Sequence, residues 1–87
     1  KYNVSEIGLI MFGDELMNSE KNEEALKILG LNTELYPGGY RAFYMYGDCL
    51  VKLNRRDDAI KAYQKSLELA PNNEKIKKKV IEIQNNR

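Results

Sequence analysis

The chain repeats itself with a period of 34 residues. The segments TELYPGG and LELAPNN share the pattern Glu-Leu-x-Pro, and their prolines, Pro37 and Pro71, lie one period apart. When the sequence is aligned with itself at a shift of 34 residues, apolar residues align with apolar residues and small residues with small ones. Such a repeat predicts stacked units that bury their apolar faces on one another rather than one irregular core. The identical pairs are Met11 and Met45, Gly13 and Gly47, Asp14 and Asp48, Leu16 and Leu50, Ala25 and Ala59, Lys27 and Lys61, Glu34 and Glu68, and Leu35 and Leu69.

Each period contains two stretches with the apolar spacing of a helix. In the second period Phe43, Tyr46 and Leu50 follow one another in this spacing, and a similar pattern resumes after the segment NRRDD. A proline closes each period, because the residue before a proline is driven out of the helical region. We therefore expect an all-α chain with helices near residues 5–18, 23–35, 40–52, 57–69 and 74–85.

The turn inside the second period carries its own signals. Asn54 is expected to end one helix in the left-handed conformation, which asparagine tolerates better than most residues. Asp57 or Asp58 then places a carboxylate at the start of the next helix, where it meets unpaired amides and the positive end of the helix dipole. Each period is therefore expected to form a helical hairpin.

Small residues recur at the points where the two helices of a hairpin should meet. Gly13 and Gly47 lie in the first helix of each period, and Ala25 and Ala59 lie in the second. A bulkier side chain at any of these positions would hold the two backbones apart. We expect the helices of each hairpin to approach closely at these residues.

These positions carry a resemblance to a known family. The first period reads Leu9-x2-Phe12-Gly13-x2-Leu16, then Ala25-x3-Leu29 and Pro37, and the second reads Phe43-x2-Tyr46-Gly47-x2-Leu50, then Ala59-x3-Tyr63 and Pro71. Both patterns resemble the tetratricopeptide repeat. The first period departs from the family pattern at Gly30, Asn32 and Thr33.

The resemblance implies a particular architecture. It predicts two tetratricopeptide helical hairpins followed by a C-terminal solvating helix, which together form a fragment of a right-handed α-solenoid. Residues 1–87 would then be one domain, with repeats at 6–39 and 40–73 and a capping helix at 74–87. In that last segment Ile76, Val80 and Ile83 share one face, as a helix that closes an array requires.

Charge and hydropathy exclude two kinds of partner. The net charge is +1, and the sequence contains no apolar run near the ~20 residues that a membrane-spanning helix needs. The charge runs from −4 over residues 1–39 through +2 over 40–73 to +3 over 74–87. The lysine run at 77–79 is explained as the solvated face of the last helix, and no aromatic residue interleaves it for base stacking. Neither a nucleic acid nor a membrane is an expected partner.

The residues needed for common catalytic and metal sites are missing. The chain has no histidine, one cysteine and no glycine-rich loop between a strand and a helix, so triads, zinc sites and phosphate cradles lack parts. We expect no catalytic residues, no metal and no cofactor, and we do not expect an enzyme. Cys49 is interpreted as a small buried residue, and it does not decide the cellular compartment.

The resemblance also implies a binding surface, because the first helices of tetratricopeptide arrays line a concave groove. Asp14 and Asp48 would lie at equivalent points of adjacent first helices; the alternative is that both are solvated surface charges. An acidic and apolar groove should repel a terminal carboxylate, so the expected ligand is another kind of protein or peptide segment. The residues implied to face the groove are Ile10, Asp14, Met17, Tyr44, Asp48, Val51, Lys75 and Lys78.

The first helix holds more apolar residues than one stripe can bury. The segment EIGLIMF is apolar on several sides, and a helix of that kind is covered on several sides. We predict self-association through Ile7, Ile10 and Met11, which would give a homodimer. A preceding domain of the same protein is the alternative cover.

Two hypotheses about function follow. The first is a protein–protein interaction or scaffolding module that binds a partner segment, or its own parent catalytic domain, through the concave face. The second rests on another resemblance, because LGLNTELYP followed by FYMYGDCL is similar to the two-repeat tail of bacterial serine hydrolases of the beta-lactamase and esterase type. The chain would then be an accessory C-terminal domain that contributes to a substrate cleft or to oligomerisation. A start at Lys1, without an initiator methionine or a signal pattern, suggests a fragment of a longer protein.

Overall fold

Five α-helices make up the computed structural model, which describes residues 5–85. The expected all-α class is confirmed, and each predicted helix is present with its ends within one residue of the expected bounds. Over the described range, no helix has the length and apolar character that crossing a membrane requires. The helices are α1 (Glu6–Asn18), α2 (Asn22–Leu35), α3 (Tyr40–Lys52), α4 (Arg56–Leu69) and α5 (Glu74–Asn85).

Each helix packs mainly on its neighbours in the sequence. The contacts join α1 to α2, α2 to α3, α3 to α4 and α4 to α5, and α1 also reaches α3. This order of contacts is that of a helical array, in which every unit touches the units before and after it. The array measures 38 × 25 × 17 Å.

The two hairpins turn in the same way. Glu20 and Asn54, one period apart, both adopt a left-handed backbone with φ of 63° and 60°. The residue after each donates its amide to a carbonyl in the last turn of the preceding helix, as Arg55 does to Leu50 at 2.8 Å. The expected left-handed conformation of Asn54 is confirmed, and Asp57 and Asp58 lie in the first turn of α4.

The glycines of α1 and α3 mark the closest approach within each hairpin. A Cβ atom at Gly13 would lie 2.5 Å from Leu29 Cδ2, and one at Gly47 would lie 2.8 Å from Tyr63 Cε1. Leu29 and Tyr63 are themselves one period apart, so both hairpins use the same contact. The close approach that the small residues predict is confirmed.

One apolar core runs through both hairpins. Its two buried clusters are bridged by Leu26 and Tyr46, which pack against both. Cys49 is fully buried, as expected, and its thiol donates a hydrogen bond of 3.2 Å to the carbonyl oxygen of Asn22. This bond joins the start of α2 to α3 and thereby fastens the first hairpin to the second.

The two hairpins differ at one buried position. Ser66 in α4 is fully buried, and its hydroxyl donates to the carbonyl oxygen of Tyr40 at 2.7 Å. One period earlier Asn32 is equally buried, yet neither its amide nitrogen nor its amide oxygen has a hydrogen-bond partner. An unpaired buried polar group costs about 1 to 3 kcal/mol. The first hairpin therefore carries a local cost that the second does not.

The last helix shows a buried face and a solvated face. Ile76, Val80 and Ile83 are buried, which confirms the predicted apolar stripe. The opposite side includes Ile81, which lies one period after Gly47 and is 58% exposed. A following helix could not approach α5 there as α4 approaches α3, because the branched side chain of isoleucine occupies the space that glycine leaves open.

Replacing Gly47 by alanine should destabilise the fold although alanine is the better helix former. We expect Gly47→Ala to lower the free energy of unfolding by about 1 to 2 kcal/mol, because the added methyl group overlaps the buried ring of Tyr63. Gly30→Ala in α2 is the matched control, since its Cβ would meet Tyr46 at an ordinary 3.5 Å. That variant should gain about 0.5 to 1 kcal/mol. Urea unfolding of both variants measures the difference, and equal stabilities would contradict the close-approach interpretation.

Candidate functional site

Helices α1, α3 and α5 border a cavity of about 680 Å³ on one side of the array. Its apolar lining includes Met45, Val51 and Ile83, and the phenol ring of Tyr63 also contributes. The side chains of both charge signs around this lining are Asp14, Asp48, Lys52, Arg56, Lys79 and Glu82. We call this space the main cavity.

A second cavity of about 230 Å³ adjoins the first. Met45 lines both, so the two cavities lie on the same side of α3, and we call that side the concave face. The small cavity lies at the N-terminal ends of α3 and α5 and is more aromatic. There the Arg41 guanidinium lies 5.3 Å from the ring centroid of Tyr40, and the Lys75 ammonium lies 5.4 Å from that of Tyr44.

The residues implied to face a groove divide between these two cavities. Asp14, Met17, Asp48 and Val51 line the main cavity, whereas Ile10, Tyr44 and Lys75 line the small one. Their role in binding stays a prediction. Met17 contributes little free surface because it is only 4% exposed and belongs to the core.

Lys78 lines neither of these cavities, and its neighbour Lys79 faces the main cavity instead. The repeat contains a signal that identifies Lys79, since it lies one period after Met45, which lines both cavities. The lining residue Tyr63 was also missed, because its position in the repeat indicates only a core side chain. Its ring is in the core and its hydroxyl reaches the cavity.

The two repeat-related aspartates have different surroundings. Asp48 is half-buried, and its Oδ1 accepts a hydrogen bond of 2.5 Å from the Tyr63 hydroxyl. Asp14 is exposed. The residue equivalent to Tyr63 in the first hairpin is Leu29, which has no hydroxyl to donate to Asp14. Asp48 is therefore partly withdrawn from solvent, whereas Asp14 is a solvated charge at the edge of the main cavity, and the role of both in binding stays a prediction.

Burial raises the pKa of Asp48 above its ordinary value. The hydrogen bond from Tyr63 and the charges of Lys79 and Lys75 oppose this rise, while the nearby Asp14 adds to it. Burial also raises the pKa of Tyr63, and the bond to Asp48 raises it further, so the phenol remains a proton donor. The carboxylate of Asp48 is therefore held in the cavity wall at a cost in desolvation.

Metal binding finds no support in the arrangement of acidic groups. Over residues 5–85 no group of three or more histidine, cysteine, aspartate or glutamate side chains is placed to hold a metal ion. What the concave face offers is a shaped surface with an apolar floor and charged edges.

The fold and this face define an all-α helical-repeat protein, and comparisons with known proteins agree. Residues 40–73 match the model of the Tetratricopeptide repeat family. The chain is also similar to a chain in the structure of Naa15/Naa10 bound to HypK-THB, at 25% sequence identity and a TM-score of 0.88 over 93% of its own length. It spans 12% of the length of that chain. None of the curated proteins compared with this sequence matches it.

These matches identify the fold as a helical repeat similar to the tetratricopeptide solenoid. The matches number 34 chains of known structure, so the fold is widely shared and does not specify a function by itself. Helical repeats of this type are typical of protein–protein interaction modules and generally form non-catalytic scaffolds. The similarity to the tail of bacterial serine hydrolases is not tested by either match and stays a prediction.

The Asp48→Asn variant should become more stable than the wild type as the pH rises. The folded-state pKa of Asp48 is above the ordinary 3.8, so the folded chain holds its proton longer, and stability falls as the pH passes from 3.8 through the folded value. Asparagine cannot ionise, and its Oδ1 can still accept from Tyr63. We expect similar urea midpoints below pH 3.8 and a higher midpoint for the variant at pH 7; equal midpoints at pH 7 would contradict this.

Proposed function

We propose that the chain is a protein–protein interaction module whose concave face binds a segment of a partner protein. The observation that carries this proposal is the pair of adjoining cavities bordered by α1, α3 and α5. Together they form a continuous surface along α3 that is apolar at its floor and charged at its edges. The similarity to helical-repeat structures supports the same use of the fold.

An unfolded or extended segment fits this face better than a small molecule does. The main cavity is open to solvent on one side, and its lining is divided among four helices of the described chain. Small-molecule sites enclose most of their ligand, whereas a groove that is open along its length accepts a peptide whose side chains enter separate pockets. The floor residues Met45 and Val51 would contact apolar side chains of the segment.

Peptides selected for binding to this chain should depend on the concave face. The selection displays random peptides and recovers those that bind the wild-type chain. Val51→Lys places a charge on the floor of the main cavity and should weaken the recovered peptides about tenfold or more, which corresponds to about 1.4 kcal/mol. Ile81→Lys is the matched control, because Ile81 is also an exposed apolar helix residue but lies outside both cavities. Equal affinities for wild type and Val51→Lys would contradict the proposal.

A second surface supports a contact through the first helix. Ile7 and Met11 are 62% and 63% exposed, whereas Met45, one period after Met11, is partly buried against the first hairpin. Ile10, expected both on this surface and in the groove, lines the small cavity, and its part in self-association stays a prediction. Adjacent exposed apolar side chains of this size are typical of contact sites. A second copy of the chain would cover Ile7 and Met11 in a two-fold homodimer, and the catalytic domain of a parent hydrolase would cover them if the chain is an accessory domain.

Self-association through this surface can be measured directly. We expect the wild-type chain to dimerise in sedimentation equilibrium and the Ile7→Lys, Met11→Lys double variant to remain monomeric. Added NaCl should leave the wild-type dimer intact, because salt screens charged contacts and does not weaken apolar ones. A wild-type chain that stays monomeric at high concentration would remove the homodimer and leave the accessory-domain contact to be tested with the parent protein.

A further inference from the structure

We infer that the concave face recognises an extended segment in which an acidic side chain and a single basic side chain lie about 10 Å apart, with two apolar residues between them. This inference rests on the proposed function, since it specifies the segment that the concave face would bind. The charges along α3 and the elements beside it carry the argument.

The small cavity forms the basic end of the face, so the repulsion of a carboxylate that was expected of an acidic groove does not apply at this end. Arg41 and Lys75 both line it, and each lies over the ring of a tyrosine. Over the described residues neither cation forms a salt bridge. A cation held against an aromatic ring keeps donors available, so the carboxylate of a bound segment can pair with both side chains.

The main cavity presents a carboxylate without a cationic partner. Asp14 forms no salt bridge over residues 5–85, whereas Asp48 is occupied by the hydroxyl of Tyr63. Lys79 of α5 also lines the main cavity, and its ammonium lies 3.8 Å from a carboxylate oxygen of Glu82. A basic side chain entering here would be held by Asp14 and by the field of Asp48 behind it.

The far end of the main cavity limits the number of basic residues in the segment. Lys52 lines that end, about one helical turn beyond Asp48 in α3, and Arg56 at the start of α4 lines the same cavity. A second cation in the segment would approach these two like charges. The face therefore discriminates against a polybasic segment as well as a polyacidic one, and this repulsion is a usual source of specificity.

The helix geometry gives the spacing. Arg41 and Asp48 are seven residues apart in α3, which is about 10 Å at 1.5 Å per residue, and Asp14 occupies the repeat position equivalent to Asp48 in the adjacent α1. A segment in the extended polyproline II conformation covers that distance in about three residues, and its three residues per turn keep side chains three positions apart on the same side. Between the two ends lies Met45, which lines both cavities and would contact the apolar residues of the segment. Either chain direction is compatible with this pattern.

Four capped hexapeptides with the same apolar centre test the inference on the intact chain: GELVKG, GKLVEG, GELVEG and GKLVKG. Titrations followed by amide chemical shifts of the ¹⁵N-labelled chain give both the affinity and the location of binding. We expect at least one of the two peptides of mixed charge to bind about fivefold or more tightly than either peptide of single charge. The shifted signals should belong to residues that line both cavities.

Charge reversal supplies the second readout. In Asp14→Lys the preference should move to the all-acidic peptide, while Glu24→Lys, which makes the same charge change on an exposed residue outside both cavities, should leave the order unchanged. Equal affinities for the four peptides, shifts outside the cavities, or an unchanged order in Asp14→Lys would each overturn the inference. The proposed function would still stand if display-selected peptides lose affinity in Val51→Lys, so the two failures are distinguishable.

Discussion

The contact between a glycine of one helix and a large side chain of the next determines most of this structure. At Gly13 and Gly47 the absent side chain lets Leu29 and Tyr63 press directly on the facing backbone, which sets how closely each hairpin closes. In the second hairpin the ring of Tyr63 makes this contact in the core, and its hydroxyl donates a hydrogen bond to Asp48 in the main cavity. A packing constraint thus positions a polar group of the candidate site.

The helices and the core were predictable, because both depend on spacing along the chain. A 34-residue period with helical apolar steps specifies where helices begin and end, and small residues at fixed points specify where they touch. The lining of the cavities was harder to predict. One residue along a helix turns the side chain by about 100°, so an error of one position puts Lys78 in place of Lys79. The repeat equivalence of Lys78 with Tyr44 favoured Lys78, whereas the equivalence of Lys79 with Met45, which lines both cavities, points to the residue that lines the main cavity.

The two hairpins differ in their match to the family and in the hydrogen bonding of their polar groups. The second hairpin matches the family model. Its buried Ser66 hydroxyl donates a hydrogen bond to Tyr40, and its Asp48 accepts one from Tyr63. The first hairpin carries the departures at Gly30, Asn32 and Thr33, and the side-chain amide of Asn32 has no hydrogen-bond partner. The first hairpin is therefore where this chain differs from a generic repeat.

The two ends of the array differ, and the difference at the α5 end is due to Ile81. At the α5 end its side chain fills the gap that a further outer helix would need, so stacking cannot be propagated there with the same geometry. At the α1 end the apolar surface is open. The proposed homodimer would join two copies through this one surface of each, because a two-fold contact uses the same face on both partners. Such an assembly would be closed and finite rather than a filament.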